Sequence, residues 1–82
     1  MRVQNITEEN ITEFFELIDK CEGKVEIVTK DMRLNIKSKI AQYVSIAKIF
    51  FNEEIKNEIE LFAYCQQDII KIMDFMINGK TN

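Results

Sequence analysis

The apolar positions of this chain follow a helical period, then a strand period, and then repeat that change. Ile11, Phe14, Phe15 and Ile18 fall at i, i+3, i+4 and i+7, with Leu17 and Cys21 widening the stripe, which is one face of a helix. Asn10 followed by Glu13 has the spacing of a reciprocal helix cap, and Gly23 is placed to stop the helix in the left-handed conformation. Val25-Glu26-Ile27-Val28-Thr29 and Met32-Arg33-Leu34-Asn35-Ile36 then alternate about Lys30-Asp31. A two-residue turn there sets Thr29 opposite Met32, Ile27 opposite Leu34 and Val25 opposite Ile36, so that one face of a hairpin is apolar.

After Ile36 the period changes again. Ile40, Tyr43, Val44, Ala47 and Phe51 form a second helical stripe, and Ser38 at the junction is predicted to cap a helix running to about Phe51. Ile46, Ile49 and Phe50 fall outside that stripe, which predicts an apolar patch suited to a contact between chains, a homodimer in the simplest case. Asn52-Glu53-Glu54 ends the helix, and the alternation from Ile55 to Ala63 predicts a strand. Gln66 to Asn78 predicts a third helix, with Ile69, Ile72, Met73 and Met76 inward and Gly79 as its stop. The order is β-α-β-β-α-β-α when Met1–Ile6 counts as a first strand, and one strand shorter otherwise. The expected fold is a single α+β domain over residues 1–82, an open-faced sandwich with an antiparallel sheet of three or four strands and three helices on one face.

Composition narrows the function more than the fold. Net charge is −3 with no basic cluster, which argues against nucleic acid as a partner. No apolar run suits a signal peptide or a membrane span, and Cys21 and Cys65 lack the spacing of a metal site, so a cytoplasmic protein with two free thiols is expected. There is no histidine, which removes the commonest general base and every Ser-His or Cys-His arrangement. No glycine-rich loop is present to cradle a phosphate. The adjacent pairs Glu8-Glu9 and Glu53-Glu54 read as solvated surface rather than acid/base pairs. Cys65 stands near a helix start, where a thiol pKa can fall, although small apolar filler is its plainer reading. The chain is expected to be no enzyme and to need no metal or cofactor.

At Asn35-Ile36-Lys37-Ser38 the sequence resembles HPr, the small phosphocarrier of the bacterial sugar phosphotransferase system. That family has a strand ending in an Asn/Asp-Leu-Lys-Ser-like run, with its regulatory serine at the start of the middle helix. The order helix, hairpin, Lys-Ser, helix, strand (here Ile59-Glu60-Leu61), helix is similar too, over Asn10 to Met76. Counted back from Ser38 without gaps, the family's phosphorylated histidine falls on Thr7, and the arginine and proline of its signature fall on Glu9 and Asn10. Lys39 stands where the family has an apolar isoleucine. The resemblance therefore implies an HPr-like domain unable to carry phosphate on histidine. It further implies a regulatory role through protein partners, phosphotransferase components or HPr kinase, with Ser38 as phosphorylation candidate; Lys37, Lys39 and Ile40 around it are interaction candidates, and Ile49 and Phe50 are so through the apolar patch. A small-ligand sensing module of β-α-β-β-α-β type and an orphan dimerisation or scaffold domain remain the alternatives.

Overall fold

The structure, a computed structural model, describes residues 1–81. Helix α1 spans Ile11–Asp19 and buries Ile11, Phe14, Phe15 and Ile18, the four residues its spacing predicts. Its reciprocal cap lies one turn earlier than expected. The Asn10 amide donates to Thr7 Oγ1 at 3.3 Å while the Thr7 amide donates to Asn10 Oδ1 at 2.8 Å. Glu13 is thereby released, and its Oε1 accepts from the Thr81 amide at 3.2 Å. Gly23 is not a left-handed stop either: the chain leaves α1 through Lys20 in a right-handed conformation. A Cβ at Gly23 would stand 3.2 Å from the Cβ of Cys65 and 3.4 Å from Asp68 Oδ2, a tight approach that would press these neighbours back by a few tenths of an ångström.

Strands β1 (Val25–Val28) and β2 (Arg33–Asn35) form the predicted hairpin in the predicted register, with Ile27 opposite Leu34. The Thr29 amide donates to Met32 O at 2.8 Å and the Ile36 amide to Val25 O at 2.9 Å. Strand β3 (Glu60–Ala63) pairs antiparallel with the other edge of β1, giving the order β2-β1-β3. Val25, Ile27 and Leu61 share the inner face and are fully buried. The expected strand over Ile55–Ala63 is halved. Asn52 folds the chain into a turn, its Oδ1 accepting from the Glu54 amide at 2.9 Å, and a 3₁₀ turn at Lys56–Glu58 follows. Residues 1–6 add only a bridge between Arg2 and Glu60, reinforced by the Leu61 amide donating to Met1 O at 2.7 Å. Among the described residues the sheet therefore has three strands.

The middle helix differs most from its expected form. Ser38 does not cap it: the Ser38 hydroxyl donates to Asn35 O at 3.0 Å, and its amide donates to Asn35 Oδ1 at 3.2 Å, closing a local turn. A 3₁₀ turn at Ile40–Gln42 follows, and α2 begins only at Tyr43 and ends at Phe50. The helix is also rotated about its axis. Ile46 and Phe50 face the core at 2% and 5% exposure, Ile49 is half-buried against it, and Tyr43 and Val44 point outward at 56% each. The expected patch of Ile46, Ile49 and Phe50 is thus core, because the Phe50 ring meets Phe14 edge-on at 5.8 Å and Phe15 at 6.0 Å.

Helix α3 (Gln66–Asn78) has its predicted limits, and Gly79 closes it at φ 73°. Its inward face is shifted: Phe75 joins Ile72 and Met76 in the core, whereas Met73 is exposed. Three helices and a three-stranded antiparallel open sheet make the fold an α+β open-faced sandwich. No helix among the described residues is long and apolar enough to cross a membrane.

Phe14 stands at the centre of the core, fully buried, with ring centroids of Phe15, Phe50 and Phe75 at 6.1, 5.8 and 5.4 Å. Truncating a buried phenylalanine costs about 3–5 kcal/mol, a large share of the roughly 5–10 kcal/mol that holds a small domain folded. Phe14→Ala is expected to lower the urea midpoint sharply or to leave the chain unfolded in water. A midpoint within error of the wild type would show that the cluster contributes little.

Candidate functional site

Because Ile46 and Phe50 turn inward, the outer side of α2 is left apolar beside α1. The two helices run antiparallel along a groove with two adjoining cavities. One, of about 320 Å³, lies among Phe15, Glu16, Asp19, Ile40 and Tyr43. The other, of about 470 Å³, lies toward the start of α1, where Glu8 and Ile11 stand near Val44, Lys48 and Phe51. Thr12, Phe15 and Tyr43 line both. Charge is divided unequally across the groove: Glu8, Glu16 and Asp19 edge the α1 side, and Lys48 edges the α2 side.

Of the residues singled out from the sequence, Ile40 lines this groove, whereas Phe50 is buried in the core and Ile49 packs against it. Lys37, Ser38 and Lys39 form the turn at the Ile40 end. Lys37 Nζ donates to Asp19 O at 3.0 Å, and Ser38 and Lys39 are exposed. Lys37 and Ser38 also line a shallower cavity of about 380 Å³ with Glu22, Gly23, Lys24 and Asn35. Thr7 and Asn10 are held in the turn that opens α1, and Glu9 is exposed beside them. Cys65 sits at the residue preceding α3 and is half-buried.

Two buried carboxylates escape the sequence pattern. Asp68, fully buried in the first turn of α3, accepts from the Glu22 amide at 3.1 Å and the Gly23 amide at 2.8 Å. Burial works to raise its pKa, but these two amides and the Cys21 thiol outweigh it, and the net shift is downward. The Cys21 thiol beside it is pushed up to about 11 by burial and by the Asp68 charge, which keeps it protonated and inert. Glu26, on the open face of the sheet, accepts from the Tyr64 hydroxyl and from Arg33 Nη1 at 3.2 Å, with Lys24 Nζ at 3.8 Å. Tyr64 is the main cause of its lowered pKa, and Glu26 in turn raises that of Tyr64.

Nothing in the spacing marks Asp68, because an acid in a first helical turn usually complements the helix dipole in solvent. Glu26 had a faint signal: Arg33 falls on the same sheet face two residues from its register partner Asn35, and Tyr64 continues that face of β3. Among the described residues no buried side-chain polar atom lacks a partner, and no cluster of three His, Cys, Asp or Glu could hold a metal ion. No family model, curated protein or solved structure matches the chain.

The Asp68 tie predicts an acid-sensitive contribution to stability. Its folded-state pKa lies below the unfolded value of about 3.9, so the contribution is complete above that value and is lost as pH falls through the folded-state pKa. Asp68→Asn keeps one acceptor oxygen and is expected to cost on the order of 1–3 kcal/mol at neutral pH, with the gap from wild type closing in acid. Urea unfolding of both proteins across this range measures it; a gap independent of pH would rule out the ionised tie. On the open face, Tyr64→Phe removes the main donor to Glu26 and is expected to raise the Glu26 pKa in a carboxyl NMR titration. An unmoved pKa would mean that Arg33 and Lys24 suffice.

Proposed function

We propose that this chain is a non-catalytic interaction domain with a regulatory role, working by protein–protein contact in or beside the bacterial sugar phosphotransferase system. The observation that carries the contact reading is the α1/α2 groove, where Tyr43 and Val44 are each 56% exposed above an apolar floor. Rigid aromatic side chains set over apolar depressions are the usual anchors of protein interfaces. The phosphotransferase setting rests on the resemblance at Asn35-Ile36-Lys37-Ser38 and is supported by the element order, since helix, hairpin, Lys-Ser turn, helix, strand and helix follow in that sequence.

The turn that opens α1 and the turn at Ser38 support contact rather than phosphate carriage. Thr7 and Asn10, the positions that match the family's histidine and proline, are occupied in each other's hydrogen bonds. Glu9, in place of the arginine, would repel an incoming phosphoryl dianion. Ser38 is read as a turn residue: a phosphate there would break its bond to Asn35 O, although Lys37 and Lys39 flank it.

Incubation with phosphoenolpyruvate and the general phosphotransferase enzyme that loads HPr is expected to leave the intact mass unchanged, and an acid-labile phosphoadduct would overturn the non-carrier reading. NMR titration with that enzyme and with HPr kinase is expected to shift Thr12, Phe15, Tyr43 and Val44 with at least one of them. No shift with either at about 100 µM, where a Kd tenfold above that of a micromolar complex would still register, would overturn the phosphotransferase setting. A phosphate gained from the kinase and lost in Ser38→Ala would make Ser38 a switch instead of a turn residue.

A further inference from the structure

We propose that the α1/α2 groove takes a second copy of this chain, in a two-fold dimer whose axis runs along the groove so that α1 of each copy lies over α2 of the other. The inference rests on the reading of this face as an interaction surface and names an occupant for it.

Charge distribution selects the arrangement. Two identical faces can meet about a two-fold axis across the groove or along it. An axis across the groove sets α1 antiparallel on α1 and brings Glu8 of each copy toward Glu16 and Asp19 of the other, an acid-on-acid contact. An axis along the groove exchanges the sides while keeping each level. Glu8 and Lys48 line the same cavity, so they stand at one level, and Glu8 of each copy then faces Lys48 of the other. At the opposite end Asp19 and Glu16, level with Ile40 and Tyr43, face the exposed Lys39 turn. Tyr43 and Val44 project at the middle and enter the partner groove over Thr12 and Phe15, which makes the contact self-complementary.

Size limits its strength. The chain exposes 5356 Å², and a standard interface takes about 800 Å² from each partner. One groove with its two rims is a small part of that surface. A micromolar dimer is therefore expected, weakened by salt because its charged pairs lie at the rim.

Sedimentation equilibrium of the full chain from about 10 to 500 µM, bracketing a micromolar Kd, tests this at low and high salt. The wild type is expected to dimerise reversibly and less at high salt. Val44→Glu, which adds an acid to an already acidic groove, is expected to weaken the dimer at least tenfold. Glu8→Lys and Lys48→Glu are each expected to weaken it, and the double swap to recover most of the loss. All three positions are exposed, so circular dichroism is expected to show an unchanged fold. A wild type that is monomeric at every concentration overturns the dimer, and if the phosphotransferase titration still shifts Tyr43 and Val44, the interaction reading stands without it. A dimer unaffected by Val44→Glu places the interface elsewhere, the exposed Ile70, Met73 and Ile77 stripe of α3 being the next apolar surface, and overturns the proposal. Single charge reversals that the double swap does not rescue overturn the axis along the groove.

Discussion

Phe14 is the side chain on which the placement of all three helices depends. It projects from α1 and touches Phe50 of α2 at 5.8 Å and Phe75 of α3 at 5.4 Å, so one ring joins three elements that do not follow one another in the chain. Edge-on and tilted ring pairs are worth about 0.5–1.5 kcal/mol each beyond the area they bury, and they are directional. The edge-on contact between Phe14 and Phe50 needs the Phe50 side of α2 turned toward α1 and the core. That rotation carries Ile46 inward and Tyr43 and Val44 outward. The groove face is therefore a consequence of the core: an aromatic requirement inside determines which apolar residues remain outside.

Polar ties then fix how α1 lies along α3. At one end Asp68 holds the chain just after α1 through the Glu22 and Gly23 amides. At the other end Asn10 Nδ2 donates to Gly79 O at 3.0 Å, and Asn5, left-handed at φ 59°, donates its side-chain amide to Met76 O. The two sets of bonds, with Phe14 against Phe75 between them, pin an antiparallel pair at both ends. Apolar contact alone would let the helices slide, because it is non-directional; the amides hold them in register. Gly23 belongs to this tie, since any side chain there would press on Cys65 and Asp68.

Much of the fold was legible in the sequence because two periods carried it. The inner face of α1, the hairpin register about Ile27 and Leu34, and the limits of α3 follow from side chains that must leave water on one side only. What could not be read was set by competition between local and distant bonds. Asn35 and Asn52 turn the chain with their own side chains, which moves the start of α2 from Ser38 to Tyr43 and shortens β3. The face of α2 was ambiguous for a different reason: it has two apolar stripes, one through Val44 and Ala47 and one through Ile46 and Phe50, and the Phe14 ring decides between them. Of the interaction candidates Ile40 alone lines the groove, which no pattern announced, and Glu26 and Asp68 depend on partners 38 and 46 residues away.

The distribution of satisfied and unsatisfied groups separates the two kinds of work a domain can do. Catalysis draws on polar groups held short of their preferred partners, or shifted toward the proton affinity a reaction needs. In this chain the perturbed groups move the other way. Glu26 and Asp68 are shifted further into their ionised range by tyrosine, cation and amide partners, and Cys21 is shifted further into its neutral range, so each is stabilised in the form it already has at neutral pH. Apolar surface, by contrast, is left unpaired, at Tyr43 and Val44 over the groove. Removing such side chains from water, there and at the exposed Ile70, Met73 and Ile77 of α3, is favourable, and contact with another surface does it.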